Sequence, residues 1–101
     1  MPLASQVRDA LKARTLRERV KHRIAGGLTV AQIFERLPVD TKDALLDNNA
    51  NPTVARRHAL DRVVEALFTH IDAGDVQRKR TRIKNATRAG IDVMVDVYRL
   101  V

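Results

Sequence analysis

The stretch from Asn51 to Arg99 constrains the fold more than any other part of the chain. Asn51-Pro52-Thr53 reads as a helix start. Asn can cap the free amides of a first turn, and Pro suits the first helical position, where its missing N–H has no partner to lose. Leu60, Val63, Val64, Leu67, Phe68 and Ile71 then recur at helical spacing and make one apolar stripe, which predicts a helix over about residues 52–73. Ala73-Gly74-Asp75 is a stop, with glycine suited to the left-handed position past a helix end. Beyond it the period shortens. Val76-Gln77-Arg78-Lys79-Arg80-Thr81-Arg82-Ile83-Lys84 is a short cationic run, and residues 85–90 have turn chemistry. Ile91, Val93, Val95 and Val97 alternate with Asp92, Met94, Asp96 and Tyr98, which is a strand pattern. A helix delivering directly into a positively charged hairpin suggests nucleic-acid binding.

Upstream, Val7 and Leu11 mark a first short helix, and Leu16, Val20 and Ile24 form another i, i+4 row. At 100° per residue Leu16 falls about 180° from Val7, so one continuous amphipathic helix does not fit and a break near Thr15 does. Thr15-Leu16-Arg17-Glu18 is a capping box that marks the new start. Residues 1–14 therefore read as an N-terminal helical extension, docked, dimerising, lying on a ligand or frayed, and residues 15–101 as the domain proper. Gly26-Gly27 ends the helix over 15–25. Thr29-Val30-Ala31-Gln32 is a second capping box, Ile33, Phe34 and Leu37 give the next helix its apolar face, and Pro38 ends it. Residues 40–47 can add a short helix through Ala44, Leu45 and Leu46, before the turn-rich Asp47-Asn48-Asn49-Ala50-Asn51-Pro52. The expected class is mainly α with a C-terminal β-hairpin.

At 101 residues there is room for one core only. No cysteine is present, which excludes disulfides and cysteine-based zinc sites. No apolar run reaches the ~18–20 residues of a membrane span, and Met1-Pro2-Leu3-Ala4-Ser5 lacks the apolar core of a signal peptide, so a cytoplasmic location is expected, nucleoid-associated in a prokaryote. Asn85-Ala86-Thr87 matches a glycosylation sequon but reads as turn chemistry. The net charge of +7 is unevenly placed. Residues 1–25 hold seven Lys/Arg against two Asp/Glu, and residues 76–101 again seven against two, while the stretch between them is slightly acidic. Two basic ends suit a phosphate-binding face if folding brings them together; the alternative is two solvated surfaces.

Helix, helix, helix and basic hairpin, in that order, resembles the winged helix-turn-helix DNA-binding domain. Thr15 to Leu37 reads TLRERVKHRIAGGLTVAQIFERL, like the first two helices of many such regulators. Thr53 to Leu67 reads TVARRHALDRVVEAL, like a recognition helix with arginine near its start. Gly74-Asp75-Val76 looks like the approach to the wing and Val97-Tyr98-Arg99-Leu100 like its closing strand. The resemblance covers about 85 residues and implies a three-helix core with a wing and the N-terminal extension outside it. One departure stands out. Fourteen residues, 38–51, separate the two helices where such units use a turn of about 3–4. Either 40–47 or 53–73 is then the helix presented to a groove.

The resemblance implies a binder of duplex DNA, a transcriptional regulator or accessory factor, with no cofactor, no metal and no enzymatic activity. Asn51, Thr53, Arg56, Arg57 and Arg62 are the candidates for the major groove, where base edges are distinguishable and the planar arginine fork suits guanine. Arg56 and Arg57 sit where the helix dipole disfavours cations, with no acid in the first turn, which is sensible if an anion binds there. On a helical wheel they lie near the Leu60/Leu67 azimuth and are free only if the helix projects from the core; otherwise they pair with Asp40, Asp43 or Asp47. Arg78, Lys79, Arg80, Arg82, Lys84 and Arg88 would follow phosphates or the minor groove, unless Asp92 and Asp96 neutralise some of them across the hairpin. Arg17, Arg19, Lys21 and Arg23 are candidate backbone contacts or a solvated face. Val7 and Leu11 are the candidate homodimer contacts.

Two other classes remain open: a protein-interaction module docking on a polymerase, replication or structural assembly, and a binder of structured RNA. The histidines His22, His58 and His70 form no close metal-ligand pair, and Phe34, Phe68 and Tyr98 are too few for a base-stacking platform.

Overall fold

The computed structural model describes residues 2–46, 51–83 and 88–101. These residues form α1 (Leu3–Ala10), α2 (Leu16–Ala25), α3 (Val30–Glu35), α4 (Val39–Leu46), α5 (Pro52–Asp72), β1 (Val76–Ile83) and β2 (Val93–Leu100). The class expected from the sequence is the one observed: mainly helical, closed by a two-stranded antiparallel hairpin.

The helix boundaries follow local chemistry. The Thr29–Gln32 box is complete: the Gln32 amide donates to the Thr29 hydroxyl, and Gln32 Oε1 accepts from the Thr29 amide at 2.9 Å. The Thr15 box is half made. Thr15 accepts from the Glu18 amide, while the Glu18 carboxylate reaches one residue further back, to the Arg14 amide at 2.7 Å. Two hydrogen bonds stop α5, from the Asp75 amide to the His70 carbonyl and from the Gly74 amide to the Ile71 carbonyl. Gly74, at φ +83°, takes the left-handed position this motif needs.

The core sits between α5 and the elements around it. Phe34, Ile33, Leu67, Val7 and Val63 are its largest fully buried side chains. Two expectations change here. First, of the alternatives open to the N-terminal extension, α1 is docked and is part of the core. Val7, Ala10 and Leu11 are buried in the shared core, and His70 Nε2 on α5 lies 2.6 Å from the Ala4 carbonyl oxygen. Val7 and Leu11 are thus consumed within one chain and offer no dimer surface. Second, α5 is rolled relative to the stripe its large residues suggest. It buries Ala55, Ala59, Val63, Ala66, Leu67 and His70, leaving Leu60, Val64 and Ile71 half-buried and Phe68 exposed. Alanines at the contact let neighbouring helices approach closely, and close packing gains more than burying every large side chain on a loosely packed face.

The hairpin hangs from both sides at its base. Val76 and Tyr98 join the core, and Arg78 stands opposite Tyr98 with its guanidinium 5.7 Å from the Phe68 ring centre. On the other face, Val97 lies under the turn at Gly26. Leu28 exchanges two backbone hydrogen bonds with Tyr98, of 2.9 and 2.8 Å, and so adds one bridge to the outer edge of β2. Adjacent residues Val97 and Tyr98 are therefore both buried, although they point to opposite faces. Farther out the strand pattern loses its one-sided logic: Val93 and Met94 are both exposed, and Ile91 precedes the strand instead of belonging to it.

Candidate nucleic-acid interface

The candidate cationic residues fall on three surfaces. The first is the start of α5. Asn51 is committed as its cap: Oδ1 accepts from the Thr53 amide at 3.0 Å and the Val54 amide at 3.3 Å, so that oxygen is engaged with the helix and is not free for a base edge. Arg56 is also engaged. It pairs with Glu35 at 3.3 Å and lies 5.5 Å from the Phe34 ring centre. The pairing partner is on α3, and is neither Asp40 nor Asp43; Asp47 lies outside the described residues. Because Ala55 is already buried, the core does not end before the arginines, and α5 does not project. Arg56 instead marks the edge of the packed face. Arg57 lies about 100° further round, exposed, beside the likewise exposed Thr53. Arg62 is exposed as well, but about 140° from Arg57, so one groove cannot meet both in the same way. Asp61 and Glu65 follow Arg57 at four-residue spacing, so the cationic part of this helix ends within its second turn.

The second surface is β1. Alternation places Arg78, Arg80 and Arg82 on one face and Lys79 on the other. Arg78 is laid over Phe68 and also approaches Tyr98. Burial and the nearby Asp96 raise the Tyr98 phenol above its ordinary value, against the opposing effect of Arg78. Arg80 stands directly across from Asp96 in the register, the cross-strand juxtaposition expected of that aspartate. Among the described residues no carboxylate lies within 4.0 Å of Lys79, Arg80, Arg82 or Arg88. Lys84 lies outside the described residues.

The third surface is α2, where Arg17, Arg19, Lys21 and Arg23 are all exposed. Its inner side contains a cluster that sequence reasoning missed. Arg36, at the end of α3, pairs with Glu18 at 3.1 Å, and its other terminal nitrogen lies 3.5 Å from His22 Nε2. The Arg14 amide, with help from Arg36, holds the Glu18 carboxyl below its ordinary range despite some desolvation. Burial and the positive Arg36 lower the His22 pKa. The sequence signal for this clasp is the glutamate of the Thr15 box, whose partner Arg36 lies 18 residues away in the chain. The groups line a shallow cleft of about 420 Å³ between α2 and α3.

Among the described residues no three His, Asp or Glu side chains gather in a way that could hold a metal ion, and no helix is long and apolar enough to cross a membrane. Comparison with protein-family models, with curated proteins and with solved structures finds no match.

Proposed function

We propose that this chain binds duplex DNA in the manner of a winged helix-turn-helix protein, with the first two turns of α5 in the major groove and the hairpin as its wing. The observation that carries the proposal is β1: an exposed cationic ribbon beside the α5 helix, with Lys79, Arg80, Arg82 and the following Arg88 unpaired among the described residues. Such a ribbon positions a protein on phosphates without reading sequence. Arg57 and Thr53 are the base-reading candidates, because they are exposed at a helix start that has no acidic first turn. Arg56 acts as their support through Glu35 and Phe34. The role is that of a regulator or accessory factor, and a homodimer would have to form through a surface other than α1.

The test is fluorescence anisotropy with a random-sequence duplex at low and at physiological salt. Affinity should fall by orders of magnitude as salt rises, because each neutralised phosphate contributes a slope of ~0.9 in log K against log salt. No binding at low salt would sink the DNA reading in favour of a protein-interaction module. Preference for duplex RNA in competition would favour the RNA reading.

A further inference from the structure

Two residues of the row expected to bury α2, Leu16 and Val20, stand in water. Leu16 is 74% exposed and Val20 52% exposed. The core draws instead on α1, through Val7 and Ala10. On its opposite side α2 carries polar contacts: the Glu18–Arg36 pair and the contact from Arg36 to His22.

The borders of the row are as informative as the row itself. At 100° per residue, Leu16 and Val20 lie within 40° of each other, Arg17 and Lys21 follow on one side, and Arg19 and Arg23 on the other. Glu18 is the helix's one acidic residue, and it faces away toward Arg36. The outer face is thus an apolar ridge with two cations along each edge. Leu16, Val20 and Ala25 form a mainly apolar trough there together with the stems of Arg17 and Lys21. A second copy of this chain would bring the same four cations against four more. Phosphates would meet the edges but leave the ridge unsatisfied. The complement is an apolar ridge with carboxylates on both flanks.

We infer that the outer face of α2 docks an acidic amphipathic helix of a partner protein, pairing Leu16 and Val20 with apolar residues at helical spacing and Arg17, Arg19, Lys21 and Arg23 with flanking Asp or Glu. Like-charge repulsion disfavours self-association through this face, and arginines in the first turn of α2, unfavourable against the helix dipole, gain partners on binding. The inference does not depend on DNA binding, since Arg57 and the β1 cations lie on other elements.

The experiment uses the full chain and a labelled synthetic helix of ~15 residues, long enough to be marginally helical alone, with leucines at i, i+4 and i+8 and glutamates on both flanks. A second peptide has the same composition with the leucines moved off that spacing. The patterned peptide should bind at least ~10-fold more tightly than the shuffled one, as a buried apolar anchor requires. The double variant Leu16→Gln, Val20→Gln should lose that difference while keeping the wild-type circular dichroism and urea midpoint, because both side chains are exposed. Equal binding of the two peptides would overturn the inference and leave charge alone. A concentration-dependent dimer abolished by the double variant would assign the face to a second copy, and binding to phosphatidylserine vesicles that the patterned peptide fails to displace would assign it to a membrane surface; either result overturns it too.

Discussion

Gly26 and Gly27 lie side by side and answer to different constraints. Both have positive φ, +80° and +131°. A Cβ on Gly26 would meet Lys79 and Val97 at 3.6 Å, an ordinary contact, so Gly26→Ala should cost only the left-handed conformation, about 1 kcal/mol. A Cβ on Gly27 would lie 2.2 Å from the Tyr98 carbonyl oxygen, whose hydrogen bond to Leu28 holds the hairpin. Gly27→Ala should therefore be far worse, about 2–4 kcal/mol, and urea unfolding of the two variants separates them. The clasp between α2 and α3 gives a pH dependence. The His22 pKa is lowered in the folded chain from its ordinary 6.5, so the unfolded state binds that proton more readily. This contribution to stability is complete above the ordinary value and is lost as pH falls from there through the folded value. Glu18, also lowered, acts in the same direction at more acid pH, below its ordinary 4.5. Titrating the His22 ring by NMR should give a midpoint below 6.5, and Arg36→Gln should move it up, since a positive neighbour has been removed. An unchanged midpoint in that variant would show that Arg36 has no influence on the ring.

Among the elements, α5 shows what a helical stripe can and cannot say. Its start, length and stop were readable from Asn51, Pro52 and Gly74, because caps act within a few residues. Its roll was not. Of the stripe Leu60, Val63, Val64, Leu67, Phe68 and Ile71, only Val63 and Leu67 are fully buried, and the packed face runs on through Ala55, Ala59 and Ala66. That roll decides the difference between two adjacent arginines that look equivalent in sequence. Arg57→Ala should weaken a specific DNA site by about 1–3 kcal/mol and random DNA by less, as measured by anisotropy with both duplexes. Arg80→Ala should weaken both alike and reduce the salt slope by ~1. Arg56→Ala should instead affect stability, but by no more than ~1 kcal/mol, since its pair with Glu35 is largely exposed. Equal effects of Arg57→Ala on specific and random DNA would remove that residue from base recognition.

At the scale of the whole molecule, α1 completes the core that the later helices leave open. Leu11→Ala should cost about 2–4 kcal/mol, the usual range for truncating a buried leucine, whereas truncation of a free dimer contact would leave the monomer's urea midpoint unchanged. The charge has an arrangement at this scale too. The two basic ends of the chain become α2 and the hairpin, and the turn at Gly26 packs over Val97 and Lys79 of that hairpin. The segments that carry the excess thus meet, although they are about fifty residues apart in sequence.

What the residues by themselves determined was set at short range: the Thr15 cap and the Thr29 capping box, the Pro52 start, the Gly74 stop, the change of period into the hairpin, and the two-ended charge. What only the tertiary structure decided was which apolar row goes inside. Val7–Leu11 and Leu16–Val20 carry nearly the same signal, and the first pair is buried while the second is exposed. Periodicity says that a helix has an apolar face. It does not say how many such faces the core can hold, because that depends on contacts between segments far apart in the chain; here Val7 and Leu11 are inside while Leu16 and Val20 are in water.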